Sequence, residues 1–216
     1  MLMRQKTILA LLLRIKEPLS PTVFVKMVFL LRHETDLRND RAFYDFVPYK
    51  FGPFSFSLYR ELTNLRRDGY ILPEEDRIAL QEQTISLAKQ NVGSLPTFVL
   101  EAVEKVVTRY STISQPSLIK GIYSRFPWYA TRSELTDLRP PSSVWMKKAR
   151  AAVYTIGYEG KSVDAFFNQL LKKGIRLIID VRNFFDSFQN KCGEAANILF
   201  GKTDSLFLES NTIFFG

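Results

Sequence analysis

The sequence predicts an α+β protein in which a helical, winged-helix-like N-terminal domain precedes an incomplete α/β domain of the βαβ type. Three observations support this prediction. Three helix-like segments come first, and a stretch of alternating apolar residues follows them. A proline- and serine-rich stretch then interrupts the chain. Beyond it, two short apolar runs flank one further helical segment, which is the order of a βαβ unit.

Two helices joined by a proline turn are predicted to open the chain. Arg4–Ile15 places its apolar residues on one helical stripe, and Pro18 follows its end. Ser20 is the expected N-cap of the second helix, because Pro21 then occupies the first helical position. This helix is predicted to run to about His33.

A third helix and a hairpin complete the predicted winged-helix order. The segment Lys50–Pro53 is expected as a tight loop, after which Ser55 or Ser57 caps a helix through Arg67. The apolar alternation in Arg77–Leu87 predicts a small hairpin. Two more helices, one starting at Pro96 and one at Gln115–Arg125, are expected to cover this domain.

The second domain is predicted from the linker and from the segments after it. Pro140-Pro141-Ser142-Ser143 is the strongest linker pattern in the chain. Val153–Tyr158 and Arg176–Val181 read as strands, and Ser162 is the expected cap of a helix between them. We therefore predict a winged-helix-like domain at 1–140, a linker at 141–150 and a truncated α/β domain at 151–216.

Composition and charge favour a globular protein with an anionic partner. The 216 residues are 46% apolar and 24% charged, which excludes wholesale disorder and a collagen-like rod. The net charge of +8 lies entirely in residues 1–150, which hold 23 Lys and Arg against 15 Asp and Glu. Residues 151–216 hold seven of each sign. An anionic partner, such as duplex DNA, is thus expected for the first domain.

Residue usage also bears on cofactors and location. The chain has one cysteine, Cys192, and one histidine, His33, so an internal disulfide and a multi-cysteine zinc site are excluded. No stretch approaches the roughly 18–20 uninterrupted apolar residues of a bilayer span. We expect a cytoplasmic protein with no cofactor, no metal and no membrane partner.

The segment Phe46–Ile71 contains K-F-G-P before the third helix and D-G-Y-I after it. It resembles a family of bacterial helical domains related to winged helices, and the resemblance extends loosely over residues 4–135. That family is found in toxin–antitoxin and phage-defence loci. The resemblance implies an antitoxin or regulatory module, which binds DNA or a protein.

The third helix is the predicted DNA reader. Its residues at spacings of three or four share one face and would reach base edges in a major groove. Lys50 and Arg66 would contact the phosphate backbone, and the other four candidates would read bases. The alternative is that these are solvated residues on a helix whose apolar face packs inward. The candidate nucleic-acid-binding residues are Lys50, Ser57, Arg60, Asn64, Arg66 and Arg67.

The turn before that helix carries two further expectations. Gly52-Pro53 is expected to present the helix N-terminus, where free N–H groups would suit a phosphate. The aromatic residues Phe51, Phe54 and Phe56 are predicted to be core residues rather than platforms on which bases stack.

Val153–Arg182 contains Y-T-I-G-Y, a helical segment and D-V-R. It resembles the start of the domain-of-unknown-function family 488, which has no settled reaction and implies only a fold. Asp180 and Arg182 end a predicted strand and point to the same side, so they would orient a polar ligand. The alternative for Asp180 is a turn cap. The candidate ligand-site residues are Tyr154, Gly157, Tyr158, Asp180 and Arg182.

The last residues depart from that family pattern. Seven of the eighteen phenylalanines follow Arg182, with no clear amphipathic period. We hypothesise that residues after about Asn183 are read out of frame from a longer gene. The alternative is a short domain whose sheet a second copy completes in a homodimer.

The function predicted from these features is a regulatory module that binds DNA or acts as an antitoxin, fused to a degenerate α/β domain. No nucleophile constellation or metal cluster is visible, so the interpretation leans away from an enzyme. The alternatives are an enzyme acting on nucleic acid or nucleotides through the α/β domain, and a protein-interaction module that does not bind DNA.

Overall fold

A computed structural model describes residues 1–138, 154, 156–157, 159–175, 195–196 and 199. The chain divides into two compact units, Met1–Pro141 and Ser142–Gly216, which are described separately. The predicted linker at 141–150 lies outside the described residues. The domain bounds 1–140 and 151–216 therefore stay predictions.

The described part of the chain is mostly helical and contains a small two-stranded antiparallel sheet, which is compatible with the α+β class. The helices of the first unit are α1 (Met3–Arg14), α2 (Pro21–Glu34), α3 (Phe56–Arg67), α4 (Ile85–Val92), α5 (Thr97–Tyr110) and α6 (Gln115–Arg125). Its strands are β1 (Val47–Tyr49) and β2 (Gly52–Phe54). The second unit contains α7 (Val163–Lys172).

Serine side chains are the N-caps of three of these helices, as the sequence predicts. The Ser20 Oγ accepts a hydrogen bond of 3.3 Å from the Val23 amide at the start of α2. Ser55, rather than Ser57, caps α3, and its Oγ accepts from the Leu58 amide at 3.2 Å. Ser162 caps α7 in the same way. Each cap satisfies an amide that has no partner within its own helix.

The small hairpin predicted within Arg77–Leu87 is met only in part, because the antiparallel pairing after α3 is shorter and joins Leu80 to Ile71 rather than two strands inside that segment. Ile78 forms an antiparallel bridge with Leu19, and Leu80 forms one with Ile71. The chain then turns into α4, where Ala88 is buried against α1. Alternation over so few residues does not distinguish a strand from a helix. Packing against α1 stabilises the helix here.

The two-stranded sheet lies at the K-F-G-P motif instead. Val47 pairs with Phe54 and Tyr49 pairs with Gly52, so Lys50-Phe51 form a two-residue turn between β1 and β2. The predicted tight loop is therefore a hairpin. It leads directly into Ser55 and α3, which ties the position of α3 to that of the turn.

The core of the first unit surrounds α2. All eight residues from Phe24 to Leu31 are buried, and α2 packs against α5, α6 and β2. The Phe29 ring lies 5.2 Å from those of Phe46 and Phe126 and 4.8 Å from that of Tyr129. This aromatic contact joins the hairpin region to the segment after α6.

In the second unit, α7 is the predicted helix. Its buried residues include Phe166, Phe167, Leu170 and Leu171. Three of the six residues of the strand predicted at Val153–Tyr158 lie outside the described residues, and the three that are described are not in a strand. All of Arg176–Val181 and the tail from residue 200 also lie outside the described residues. No helix among the described residues is both long and apolar enough to cross a membrane.

Candidate nucleic-acid interface

The two faces of α3 differ sharply in character. Leu58, Leu62 and Leu65 are fully buried and fix the helix to the core. The opposite face is exposed to solvent and consists of Tyr59, Arg60, Thr63 and Arg67. The spacing of the leucines sets the rotation of the helix, so the sequence indicates the general direction of the outward face.

Two of the four predicted base-reading residues lie on this exposed face. Arg60 and Arg67 are exposed, whereas Ser57 and Asn64 are half-buried at one edge of it. The Arg67 Nε lies 3.3 Å from the Asp68 carboxylate, in a contact between two exposed side chains. Such a pair contributes little stability and would not hold Arg67 away from a phosphate.

The two residues predicted to contact the backbone have protein partners. Lys50 is exposed, and its Nζ lies 3.4 Å from a carboxylate oxygen of Glu134. Arg66 is half-buried, and its Nη2 is 3.5 Å from the Glu74 carbonyl. Lys50 therefore pairs with Glu134 from within the hairpin turn, while Arg66 is directed toward the segment that follows α3.

A buried ion pair holds α3 against α1. The Glu61 carboxylate is almost fully buried and lies 3.0 Å from the Arg4 Nε. Its other oxygen accepts a hydrogen bond of 2.6 Å from the Gln5 side chain. The acidic residue of α3 thus points inward, and the exposed face of the helix carries no carboxylate between Phe56 and Arg67.

The backbone conformation and surroundings of Gly52 explain why the K-F-G-P motif contains a glycine. Its φ is +94°, a conformation that side chains disfavour, and an added Cβ would lie 2.6 Å from the Tyr123 Cε1. The Tyr123 hydroxyl donates to the Ser133 Oγ at 2.6 Å. The Lys50 carbonyl accepts from the Glu134 amide at 2.7 Å. The motif is therefore needed to seat the hairpin on α6 and the segment after it.

A buried lysine lies beneath the same turn. The Lys26 side chain comes from α2, is only 2% exposed, and its Nζ donates to the Pro53 carbonyl at 3.3 Å. Burial lowers the pKa of Lys26 to about 7. Desolvation disfavours the ammonium form, and no nearby acidic group is a cause of the shift.

The N-terminus of α3 is more enclosed than the sequence suggested. Ser55 is fully buried, as are Gly52 and Pro53, and the Ser55 hydroxyl serves as the helix cap. Packing of the hairpin against α2 and α6 covers this end. The expectation of an open phosphate site at the helix N-terminus therefore gains no support from the packing.

The prediction of core positions for the three phenylalanines is wrong for Phe51 and only partly met by the other two. Phe51 is 48% exposed and Tyr59 is 37% exposed. Phe54 and Phe56 are half-buried. The prediction fails for Phe51 because this residue lies in the two-residue turn of the hairpin, where its side chain is exposed. Sequence reasoning missed Tyr59, although it immediately precedes Arg60.

Little of the second candidate site is described. Tyr154 is exposed, and the carbonyl of Gly157 accepts a hydrogen bond of 2.7 Å from the Lys161 ammonium. Tyr158, Asp180 and Arg182 lie outside the described residues, as does Cys192. Among the residues that the structure describes, no three His, Cys, Asp or Glu side chains are grouped so as to hold a metal ion.

The positive charge is divided more evenly than the sequence count suggested. Residues 1–138 hold 19 Lys and Arg against 15 Asp and Glu, a net charge of +4. The other +4 comes from Arg139, Lys147, Lys148 and Arg150, which lie outside the described residues. The +8 of the whole sequence therefore overstates the net charge of the described part of the first unit.

No protein-family model, no curated protein and no solved structure matches the chain. The resemblances to the K-F-G-P family and to family 488 thus stay predictions.

Proposed function

We propose that the helical unit is a regulatory module that binds duplex DNA, with α3 as the helix that enters the major groove. The observation that carries this proposal is the exposed face of α3, where Arg60 and Arg67 lie one above the other and no carboxylate interrupts them. Arginine side chains on such a face suit both phosphates and guanine edges.

The order of elements around α3 supports a winged-helix type of module. Leu19, between α1 and α2, bridges to Ile78, and Ile71, just after α3, bridges to Leu80. Three short extended segments therefore meet beside α3, in the chain order that a winged helix uses. The segment between α2 and α3 holds the additional β1–β2 hairpin, which is an elaboration on that order.

The K-F-G-P resemblance favours a regulatory role of the kind found in toxin–antitoxin and phage-defence loci. In this proposal the α/β domain is degenerate and contributes no activity. Translation of the gene in the other two reading frames after Arg182 tests that part. A continuation resembling family 488 supports a frameshift, and its absence refutes it.

Salt-dependent DNA binding by the full chain tests the main proposal. We expect affinity for duplex DNA to fall steeply with added salt, because bound phosphates release counterions. Arg60→Ala and Arg67→Ala should each weaken binding, and each lost phosphate contact should reduce the salt slope by about 1.

Arg14→Ala is the matched control. Arg14 is an exposed arginine at the end of α1 that pairs with Glu104 on α5, away from the exposed face of α3. It should bind DNA like the unsubstituted protein. Absence of duplex binding at low salt, or equal losses in all three variants, would overturn the proposal.

A further inference from the structure

Four aromatic side chains that contact one another lie beside Arg60, and a fifth, Phe51, lies in the adjoining turn; we call the five the aromatic cluster. Phe54 is at its centre: its ring stacks on Tyr59 at 4.6 Å with an interplanar angle of 27°. Phe54 also lies 4.9 Å from Phe56 and 5.1 Å from Tyr49. Phe51 lies in the two-residue turn between Tyr49 and Gly52. The cluster therefore spans the hairpin and the first turn of α3.

The fold does not require an aromatic side chain at position 51. The turn is seated by Gly52 against Tyr123 and by the Lys50 carbonyl, and the Phe51 side chain is 48% exposed. Single exposed apolar residues are common, but Tyr59 belongs to a group of contacting, half-buried rings, and Phe51 lies in the turn that joins two members of that group. Such a contiguous surface is typical of a binding site.

The charges around the cluster are mostly positive, although Lys50 is paired with Glu134. Lys50 precedes Phe51, and Arg60 follows Tyr59. Arg66 lies close enough to Tyr59 for its charge to oppose the rise that burial causes in the pKa of the Tyr59 hydroxyl. The acid of α3, Glu61, is buried and paired with Arg4. An occupant with flat apolar faces and negative charge complements this surface.

Unpaired nucleotides have that chemistry, since every base offers a flat face and every linkage a phosphate. We propose that the aromatic cluster binds unpaired nucleotides, with bases stacked on Phe51 and Tyr59 and phosphates at Arg60 and Lys50. This inference rests on the proposed function and adds to it a substrate class: DNA in which a duplex adjoins a single-stranded segment.

Binding of the full chain to three DNA probes tests the inference. The probes are a blunt duplex, the same duplex with a short thymidine overhang, and the free overhang strand. We expect the overhang to raise affinity about 5- to 100-fold over the blunt duplex, as stacking of one or two bases on aromatic side chains would give. A 2-aminopurine in the overhang should lose fluorescence on binding.

Substitutions identify the residue responsible. Phe51→Ala should remove the advantage of the overhang and leave the affinity for the blunt duplex unchanged, while Phe51→Trp should restore it. Phe98→Ala is the matched control, because Phe98 is a phenylalanine on α5 that is 42% exposed and lies outside the cluster. It should behave like the unsubstituted protein with all three probes.

The outcomes separate this inference from the proposed function. Duplex binding without an overhang advantage, or an advantage that survives Phe51→Ala, overturns the inference alone. Binding of the free strand without duplex binding refutes groove binding and the junction substrate, and supports only the binding of unpaired nucleotides by the aromatic cluster. Absence of binding to any probe at low salt overturns both, and a protein partner is then the remaining occupant.

Discussion

Gly52 shows how one residue can be fixed by two independent constraints. Its backbone has a φ of +94°, and Tyr123 occupies the space where a side chain would begin. Gly69, which follows α3, has a similar φ of +76° but no atom within 4 Å of its Cβ position. Comparing substitutions at the two glycines therefore distinguishes the cost of backbone strain from the cost of a steric clash.

We predict that Gly52→Ala destabilises the protein by at least about 2 kcal/mol, because left-handed strain of about 1–3 kcal/mol is joined by the overlap with Tyr123. Gly69→Ala should cost only about 1 kcal/mol from strain. Urea denaturation of both variants measures the two losses. Equal losses would show that the Tyr123 contact does not constrain position 52.

Lys26 is a second residue whose surroundings change its chemistry. Burial lowers its pKa to about 7 from 10.5, so the unfolded chain binds a proton at pH values where the folded protein does not. Between those two pKa values the unfolded state holds more protons, and the free energy of unfolding rises with pH. Below about pH 7 both states are protonated, and the full cost of burying the charge remains.

We predict that Lys26→Met is more stable than the unsubstituted protein at neutral and lower pH, by an amount on the order of a few kcal/mol. The difference should shrink as the pH rises toward 10.5. Urea denaturation across this range measures it, with Lys89→Met on α4 as the exposed control. A stability difference that does not change with pH would contradict the shifted pKa.

At the scale of elements, α3 is positioned by contacts that come from distant parts of the chain. Its leucines pack inward, Glu61 binds Arg4 and Gln5 of α1, and the hairpin fixes its first turn. The exposed arginines can act together only if these contacts hold the helix in one orientation. Glu61 therefore helps to orient the exposed face of α3 through its contacts with α1 on the opposite side of the helix.

We predict that Glu61→Ala lowers the free energy of unfolding by about 1–3 kcal/mol, since it leaves Arg4 and Gln5 without their buried acceptor. Glu104→Ala is the control: it removes the exposed Arg14–Glu104 pair and should cost no more than about 0.5 kcal/mol. Thermal or urea unfolding distinguishes them. Similar small losses in both variants would mean that the buried pair is dispensable.

Local rules predict the elements well where they depend on neighbouring residues. The serine caps at Ser20, Ser55 and Ser162 follow from residues within one helical turn. The segment Arg77–Leu87 fails because its partners, Leu19 and Ile71 for the bridges and α1 for α4, are remote in sequence. Periodicity does not identify a partner, so it placed a hairpin within Arg77–Leu87, where Ile78 and Leu80 are instead bridged to Leu19 and Ile71 and a helix begins at Ile85.

At the scale of the whole molecule, the first unit has its own core. Every described member of its hydrophobic cluster lies between Met3 and Leu138, within the unit that ends at Pro141. The cluster is built around α2, which has a run of eight consecutive buried residues. A core of this extent is sufficient for independent folding of a unit of this size.

We predict that a fragment spanning Met1–Pro141 folds on its own and unfolds in urea at the same midpoint as the first transition of the full chain. Circular dichroism should show its helical content, and hydrogen exchange should protect α2 most strongly. A fragment that is unfolded, or that has a much lower midpoint, would show that the first unit needs residues beyond Pro141.

The sequence by itself determined most of the helices, the caps at Ser20 and Ser162, and the outward position of Arg60 and Arg67, because helical spacing and the leucines of α3 are local properties. Only the tertiary structure decided that Lys50 pairs with Glu134, that Lys26 is buried under the turn, and that Phe51 is exposed. These facts depend on where the hairpin meets α2 and α6. Contacts between residues far apart in the chain are set by packing of the whole unit, and no local pattern encodes them.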